Sequence, residues 1–504
     1  MRQTTSWIDG RPATTDSTTS GPRRSPVLDP STGEQVAEVV LAGADDVDRA
    51  VASAVRAQVA WGELSLARRV NVLFSFRELL KGAADQLARL ISEEHGKTVT
   101  DAAGEVARGL EVVEFACGLP QLLKGEFSGQ AATGIDVHSV REPLGVVAGI
   151  TPFNFPVMVP LWMSPVAIAT GNAFVLKPSE RDPSPSLLLA ELWQRAGLPD
   201  GVFTVVQGDR EAVDALLVHP DVAAVSFVGS TPVARHIHRV ASEHGKRVQA
   251  LGGAKNHGVV LADADLADAA DQLTAAAYGA AGERCMALSV AVVEESVADQ
   301  LITLLAERAR AVRMGPGSDE GTDMGPVISA QAKERIEGLI SSAEQEGATL
   351  VVDGRGARVP GHENGFFVGP TLVDGVTPQM RVYQEEVFGP VLDVVRVRDL
   401  AEAVELVNAN PYGNGTAVFT SSGEAARTFR RSVKVGMVGI NVPIPVPVAW
   451  HSFGGWKDSL FGESHVYGPE SIRFYTRGKV TTERWPHRAT APAASFHFSG
   501  DSGR

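Results

Sequence analysis

The chain has 504 residues, which is enough for about three domains of ordinary size. Apolar residues make up 44% and charged residues 21%, as in a globular protein with a large core. The 46 basic and 60 acidic side chains give a formal charge of −14, so few cations are left to neutralise phosphates. We therefore expect neither nucleic acid nor an anionic membrane as a partner.

The two cysteines, Cys117 and Cys285, are too few for a disulfide scaffold, and no Cys/His spacing indicates zinc. We expect no metal site and a reducing, cytoplasmic location.

Taken in chain order, the first residues, 1–25, are rich in Thr, Ser, Arg and Pro and predict a flexible N-terminal arm. Apolar residues at spacings of three and four then predict helices over about 45–61 and 66–95. At the other end, residues 486–504 predict a flexible tail.

The middle of the chain alternates between short β-branched runs and helical patterns. We predict strands at 146–150, 173–176, 202–206 and 223–228. Helices are predicted after the last three of these strands, over about 184–196, 211–218 and 232–244. Such alternation is typical of a mostly parallel sheet covered on both faces, with ligands bound beyond the carboxyl ends of its strands.

The uncharged run from Leu144 to Leu176 could be mistaken for a membrane span. Four prolines interrupt it, and Asn154 and Asn172 would lie in lipid, where a spanning helix must satisfy its own backbone. A buried strand, a polar loop and a core helix explain the run better.

A second alternating region begins with a strand at 257–261, a helix over about 266–280 and a strand at 289–293. The segment Pro443-Ile-Pro-Val-Pro447 breaks regular structure and predicts a loop over the site. Residues 471–482 predict an edge strand, and such an edge invites pairing with another subunit.

Gly282-Glu-Arg-Cys285 lies between a helix rich in small residues and an apolar strand. A thiol on such a loop is open to a substrate, and Arg284 would favour its thiolate form. A buried structural cysteine is the alternative, and the surroundings of Cys117 favour that role for it.

Three loops that follow predicted strands carry polar residues. Ser230 precedes Thr-Pro at the start of a helix, where free N–H groups attract a pyrophosphate. An ordinary capped helix would have the same sequence pattern. Lys177 and Glu180 could hold ribose hydroxyls or form a solvated charged loop. Asn154, among aromatic residues and prolines, could donate to an oxyanion or make a structural hydrogen bond.

In their order and spacing, these motifs resemble the aldehyde dehydrogenase superfamily over about residues 7–485. The motifs are Pro152-Phe-Asn-Phe-Pro156, Lys177 to Glu180, Phe227-Val-Gly-Ser-Thr231, Leu251-Gly-Gly253, Gly282 to Cys285 and Glu385-Glu-Val-Phe-Gly-Pro390. The resemblance implies an α/β fold with two Rossmann-like open parallel-sheet domains and a small β oligomerisation arm. It divides the chain into an NAD-binding domain (26–125 and 145–255), a catalytic domain (256–445) and oligomerisation strands (126–144 and 465–485).

The same resemblance implies roles for individual residues. Cys285 would be the nucleophile, and Asn154 would complete an oxyanion hole with the Cys285 backbone N–H. NAD would be bound by Thr151, Phe153, Lys177, Glu180, Arg181, Ser230, Gly252 and Glu386, with Lys177 and Glu180 at the adenine ribose, Ser230 at the pyrophosphate and Glu386 at the nicotinamide ribose.

One departure from the superfamily pattern is informative. Most members carry, just before Leu-Gly-Gly, a glutamate that activates water to hydrolyse the thioester, and here that residue is Ala250. A methyl group cannot accept a proton, so we expect another nucleophile to release the acyl group.

The segments Gly245 to His257, Gly282 to Ala287 and His451 to Trp456 resemble the (methyl)malonate-semialdehyde dehydrogenase branch. That branch transfers the acyl group to coenzyme A and loses carbon dioxide. Arg284 and Arg108 match the branch's arginine pair for the substrate carboxylate. Ser164 stands where we expect a bulkier apolar residue.

The resemblance therefore implies oxidative decarboxylation of malonate or methylmalonate semialdehyde, with NAD and coenzyme A, by a homodimer or homotetramer. A hydrolytic aldehyde dehydrogenase that yields a free acid, and a non-redox coenzyme A acyltransferase, are the alternatives.

Overall fold

The computed structural model describes residues 2–13 and 23–485. Its strands are β1 (Arg2–Thr4), β2 (Trp7–Ile8), β3 (Arg11–Pro12), β4 (Arg24–Leu28), β5 (Gln35–Val40), β6 (Glu126–Ala132), β7 (Ile135–Pro143), β8 (Val146–Ile150), β9 (Ala173–Lys177), β10 (Phe203–Val205), β11 (Val222–Val228), β12 (Arg247–Leu251), β13 (Asn256–Val260), β14 (Leu288–Glu294), β15 (Thr349–Val352), β16 (Thr371–Asp374), β17 (Val391–Val397), β18 (Tyr412–Gly413), β19 (Gly415–Phe419), β20 (Met437–Ile440), β21 (Trp456–Lys457), β22 (Leu460–Phe461) and β23 (Thr476–Glu483).

The α-helices are α1 (Ala44–Glu63), α2 (Leu66–Gly82), α3 (Ala84–His95), α4 (Val99–Cys117), α5 (Leu119–Leu122), α6 (Met158–Ala169), α7 (Ser184–Arg195), α8 (Arg210–Val218), α9 (Thr231–Glu243), α10 (Leu266–Tyr278), α11 (Glu295–Ala311), α12 (Ala330–Gln345), α13 (Arg381–Gln384), α14 (Leu400–Ala409), α15 (Gly423–Ser432) and α16 (Gly468–Phe474). A short 3-10 turn spans Gly279–Gly282.

Two open, mostly parallel sheets form the body of the protein, as the alternating pattern predicts. The first has the strand order β22-β12-β11-β8-β9-β10-β2-β3, and β12, β11, β8, β9 and β10 run parallel. The second has the order β15-β16-β17-β14-β13-β19-β20, with only β15 antiparallel. Helices cover both faces of the first sheet, with α1, α8 and α9 on one side and α2 to α4, α6 and α7 on the other.

The uncharged run is confirmed as a buried strand, a polar loop and a core helix. β8 and β9 are buried neighbours in the first sheet, and every residue of α6 between them is buried. In the described ranges, no helix combines the length and apolar character that crossing a membrane requires.

The prediction of a flexible arm over residues 1–25 is wrong for residues 2–13 and for the start of β4. β1 pairs with β5, and β2 pairs with β10 at the edge of the first sheet. Trp7 and Ile8 are buried there, and this apolar contact outweighs the polar composition of the surrounding segment. The predicted tail over residues 486–504 lies outside the described residues.

A third sheet, with the order β23-β7-β6, contains the segments assigned to oligomerisation. The edge strand predicted over residues 471–482 begins only at Thr476, because α16 occupies Gly468–Phe474. Pro469 lies in the first turn of α16, and Ile472 and Phe474 are buried in the core that contains α6. A helix therefore buries these apolar residues, where alternation along a strand had been expected.

Asn172 joins three segments at the base of β9. Its Oδ1 accepts from the N–H groups of Leu144 (2.7 Å) and Gly145 (3.0 Å). Its Nδ2 donates to the carbonyl oxygens of Ala167 (3.0 Å) and Tyr475 (3.0 Å) and to the Thr170 hydroxyl at 2.9 Å. One buried amide therefore connects the segment before β8 with the end of α6 and with the end of α16.

We expect Asn172→Leu to lower the free energy of unfolding by roughly 3 kcal/mol or more, because it leaves several buried backbone groups without partners. Thr170→Val is the matched control and removes one of these contacts, with an expected loss of about 1 kcal/mol. Denaturant titration followed by tryptophan fluorescence measures both. Equal losses in the two variants would contradict the role of Asn172 as the joining group.

Candidate active site

A cleft of about 980 Å³ opens at the carboxyl ends of the strands of the first sheet and reaches Cys285. The loops after β8, β9, β11 and β12 all border it, as expected for ligand sites in parallel sheets. Ten of the predicted site residues line this one cleft: Thr151, Phe153, Asn154, Lys177, Glu180, Arg181, Ser230, Gly252, Cys285 and Glu386.

Cys285 follows the 3-10 turn and precedes β14. Ala280 and Ala281 have φ values of 50° and 52°, a left-handed backbone that L-residues rarely adopt. At Gly282, a Cβ would lie 2.1 Å from the carbonyl oxygen of Gly389, so only glycine fits. Side-chain amides of Asn256 (2.9 Å) and Asn414 (3.0 Å) donate to the Cys285 carbonyl. Strain of this kind, fixed by surrounding contacts, is common at functional sites.

The Cys285 thiol is strongly biased toward its neutral form. Burial raises its pKa to about 12, and the negative charge of Glu386 acts in the same direction. Arg284 lowers the pKa, but it is the last of the contributions. The expectation that Arg284 favours the thiolate is therefore right in direction, but burial outweighs the effect, and the guanidinium is also paired with the Asp101 carboxylate on α4.

Asn154 lies buried in the loop between β8 and α6. Its Nδ2 donates to the carbonyl oxygen of Glu283 at 3.0 Å, which ties this loop to the segment that carries Cys285. An amide nitrogen has two N–H donors. The second donor suits an oxygen on a substrate carbon bound to Cys285, since both residues border the same cleft.

Glu386 follows α13 and faces the Gly252–Gly253 turn. Its Oε1 accepts from the Ala254 N–H at 2.9 Å, and Arg335 donates to its backbone carbonyl at 3.1 Å. Burial raises the pKa of the Glu386 carboxyl to about 7, against the opposing effects of the Ala254 N–H, Lys255 and Arg335. Glu386 is thus a cleft carboxyl that titrates near neutral pH.

The outer part of the cleft has the features of a nucleotide site. Lys177 Nζ lies 3.0 Å from Glu180 Oε2, and the Arg181 guanidinium lies 5.9 Å from the centroid of the Phe153 ring. Ser230 is the N-cap of α9, yet its hydroxyl makes no cap hydrogen bond. The hydroxyl is consequently available to a ligand at the start of α9, where the helix dipole favours negative charge.

The two arginines proposed for the substrate carboxylate lie outside the large cleft. Arg284 borders a small adjoining cavity that also contacts Cys285. Arg108 donates to the Glu111 carboxylate (2.9 Å) and to the carbonyl oxygens of Val446 (3.0 Å) and Pro447 (3.2 Å). Arg108 therefore holds the proline-rich loop, which is irregular as predicted.

Tyr467 links this region to the thiol. Its hydroxyl donates to the Pro447 carbonyl at 2.8 Å. Burial raises the pKa of that hydroxyl, Arg108 opposes the rise, and Cys285 adds to it. Arg108 and Cys285 thus each lie close enough to the Tyr467 hydroxyl to affect its pKa.

Ala250 and Ser164 contact the core and not the cleft. Ala250 is fully buried on β12, opposite Phe227 on β11 and Phe461 on β22. The Ser164 hydroxyl donates to the Pro160 carbonyl within α6 at 2.8 Å, so this small residue satisfies its own polar group without reaching the Asn154 loop.

Several buried ionisable residues support the cleft and have no obvious sequence signal. They are Lys97 and Glu105 beneath the Asn154 loop, Lys255 and Asp393 beneath the Glu386 loop, and Glu283, whose carboxylate accepts from the Ile328 N–H. Burial raises the pKa of the Glu283 carboxyl to about 8. The position of Lys97 directly after the glycine that ends α3 is the one available hint, since Gly96 marks a chain reversal.

Comparisons with known proteins agree with this geometry. Residues 17–481 match the model of the "Aldehyde dehydrogenase family". A malonate-semialdehyde dehydrogenase of Pseudomonas aeruginosa is 57% identical over 477 residues, which cover 94% of this chain and 96% of that protein.

Two solved structures have the same fold throughout. The crystal structure of a methylmalonate-semialdehyde dehydrogenase from Oceanimonas doudoroffii is 56% identical, with a TM-score of 0.95, and the match covers 97% of this chain and 99% of that one. A protein from Sinorhizobium meliloti, assigned to the methylmalonate-semialdehyde dehydrogenases and complexed with NAD, is 52% identical, with the same TM-score and coverage. The chain belongs to the aldehyde dehydrogenase family.

Proposed function

We propose that this chain is an NAD-dependent, coenzyme A-acylating dehydrogenase of malonate or methylmalonate semialdehyde, which yields acetyl-CoA or propionyl-CoA and carbon dioxide. The observation that carries this proposal is that Cys285 and Asn154 line the same cleft as the residues suited to a nucleotide. The names of relatives at 57% and 56% identity support the substrate class.

The residues present suit NAD. The pair Lys177–Glu180 would hold the adenine ribose, and the Glu180 carboxylate disfavours a 2′-phosphate at that position. Ser230 and the start of α9 would hold the pyrophosphate, and Glu386 would hold the second ribose. When bound, NAD supplies the hydride acceptor.

The chain's own residues perform the remaining steps. The Cys285 sulfur bonds to the aldehyde carbon as the thiol loses its proton. Asn154 and the Cys285 N–H stabilise the oxyanion that forms. Oxidation of that carbon leaves a thioester on Cys285. The bond to the β-carboxylate then breaks, carbon dioxide departs, and the thioester carbonyl accepts the electron pair before protonation. The coenzyme A sulfur attacks the carbonyl, which forms the product thioester and frees the Cys285 sulfur.

We also propose a homodimer or homotetramer assembled through the sheet β23-β7-β6. This sheet exposes Phe127 at 69% and Val480 at 67%, and Trp485 just beyond β23 is 80% exposed. Apolar side chains on an edge strand favour association with a second copy. A cytoplasmic location, with its reducing conditions, would keep the Cys285 thiol free for catalysis.

Product analysis tests the fate of the thioester. With semialdehyde and NAD alone we expect a burst of about one NADH per site, because formation of the thioester precedes the step that needs coenzyme A. Added coenzyme A should give sustained turnover with stoichiometric acyl-CoA and carbon dioxide. Cys285→Ala is the control and should show no burst. Equal sustained turnover without coenzyme A, giving free acid, would instead identify a hydrolytic enzyme.

Arg284→Met should raise the KM for malonate semialdehyde roughly thirtyfold, since a charge-assisted hydrogen bond is worth about 2 kcal/mol. The KM for propanal, which lacks a carboxylate, should stay within about twofold. Asp101→Asn is the matched variant: it releases the Arg284 guanidinium from its partner and should lower the KM for the semialdehyde. An equal change for both aldehydes in Arg284→Met would refute a role in binding the carboxylate.

Glu386→Gln should lower the pKa of Cys285, because it removes a negative charge that disfavours the thiolate while an amide oxygen still accepts from Ala254. The effect should grow as pH rises through about 7, where the wild-type Glu386 carboxyl ionises, and should vanish below pH 6. The rate of iodoacetamide alkylation of the NAD-free protein measures it. Glu180→Gln, in the outer cleft, should leave the profile unchanged; an identical profile for Glu386→Gln and wild type would exclude the coupling.

A further inference from the structure

Lys97 places a buried ammonium group directly beneath the Asn154 loop. Its side chain and that of Glu105 are 1% and 0% exposed, and Nζ lies 2.9 Å from Glu105 Oε2. The same nitrogen donates to the backbone carbonyl of Asn154 and lies 4.4 Å from the centroid of the Phe155 ring. Two of these contacts are with the loop that carries the candidate oxyanion donor, and the third is with Glu105 on α4.

Glu105 holds the far end of the same loop. Its Oε1 accepts from the backbone N–H groups of Val157 (2.8 Å) and Met158 (3.1 Å), where α6 begins. The carboxylate therefore satisfies two N–H groups at the start of that helix. The ion pair thus contacts the loop on both sides of Phe155 and fixes its two ends with one buried structure.

The backbone of Lys97 contacts both the end of α3 and the chain segment before α12. Gly96 ends α3 in a left-handed conformation, and the Ser92 hydroxyl donates to the Lys97 carbonyl at 2.7 Å. A Cβ at Gly317, in the chain segment before α12, would lie 2.1 Å from that carbonyl, so the two backbones are in direct contact. The Lys97 backbone is therefore packed closely against the segment that contains Gly317.

We propose that Lys97 and Glu105 are positioning residues that aim the Asn154 side-chain amide at the substrate oxyanion. The Lys97 ammonium donates to the backbone carbonyl oxygen of Asn154, and the Asn154 Nδ2 donates to the backbone carbonyl oxygen of Glu283 at 3.0 Å. These two contacts define the direction of the remaining amide N–H. Displacement of a catalytic group by about 1 Å can cost a hundredfold in rate, so loss of either contact should slow the chemical step.

This role rests on the proposed function of Asn154 as an oxyanion donor, but not on the fate of the thioester. The NADH burst precedes attack by coenzyme A, so the burst rate reports on the oxyanion whether coenzyme A or water releases the acyl group. A wild-type enzyme without coenzyme A dependence would refute the proposed product and leave the positioning role open to measurement.

The experiment is a double-mutant cycle on the burst rate at saturating semialdehyde and NAD. Lys97→Met should slow the burst about tenfold or more, while the KM for NAD stays within about twofold. In the background of Asn154→Ala, the same substitution should change the burst by less than about twofold, because its target is gone. Equal losses in the two backgrounds would overturn the proposal, since a general loss of structure acts regardless of Asn154.

Two measurements keep the test valid if Lys97→Met folds poorly. The double variant Lys97→Met with Glu105→Gln removes the Glu105 charge that would otherwise lose its lysine, and it retains an oxygen for the Val157 and Met158 N–H groups. It should show the same slow burst. Alkylation of Cys285 by iodoacetamide forms no oxyanion, so its rate should stay within about twofold in every correctly folded variant; a parallel loss of alkylation would assign the effect to the thiol and refute the proposal.

Discussion

Two buried lysine–carboxylate pairs hold the walls of the cleft. Lys97 pairs with Glu105 and donates to the carbonyl of Asn154, while Lys255 pairs with Asp393 and donates to the carbonyl of Glu385 at 3.2 Å. Removing such charges from water costs several kcal/mol per ion unless further hydrogen bonds satisfy them. Here the additional bonds go to the loops that carry Asn154 and Glu386, so the cost of desolvation is offset where the site needs rigidity.

The electrostatics of the interior follow from these pairs. Burial raises the pKa of Asp393 to about 6, and Lys255 limits that rise. Burial also raises the pKa of Glu386 to about 7 and that of Glu283 to about 8, so two buried acids of this region titrate around neutral pH. The thiol is neutral in this environment, and an adjacent carboxyl that gains or loses a proton changes the stability of its thiolate. The state of Glu386 and the reactivity of Cys285 are consequently coupled.

Local patterns predicted the elements that position the site. The strand predicted at 146–150 matches β8, and the helix predicted over 232–244 matches α9 to within one residue at each end. A short, continuous apolar run marks the buried strand, and helical spacing of apolar residues marks the helix. The strand predicted over 471–482 is wrong for its first residues, where α16 lies, and right from Thr476 onward. The apolar residues at its start suit a strand or a short helix equally, and packing in the core that contains α6 favours the helix. Periodicity carries no information about that distant partner.

Motifs in the sequence also predicted the candidate residues that line the cleft, but not the buried charged residues that hold the cleft loops in place. Lys97 and Lys255 look like ordinary surface lysines in sequence, and Asp393 lies 138 positions from its partner. For Arg284, the sequence showed proximity to Cys285 but not the Asp101 carboxylate on α4 that engages the guanidinium. Adjacency along the chain indicated the neighbour and the direction of its effect on the pKa of Cys285, but not the burial that outweighs it.

The fate of the thioester depends on which groups can activate water next to it. The sequence resemblance implies that Ala250 replaces a glutamate that activates water, and the structure buries Ala250 in the apolar core that also contains Phe227 and contacts Phe461. Glu386 is a cleft carboxyl close enough to affect the thiol, but one of its oxygens already accepts from the Ala254 N–H. A thiol nucleophile such as coenzyme A ionises far more readily than water and needs less help from a base. A site with a well-held oxyanion donor and a poor water base therefore favours transfer of the acyl group to a thiol.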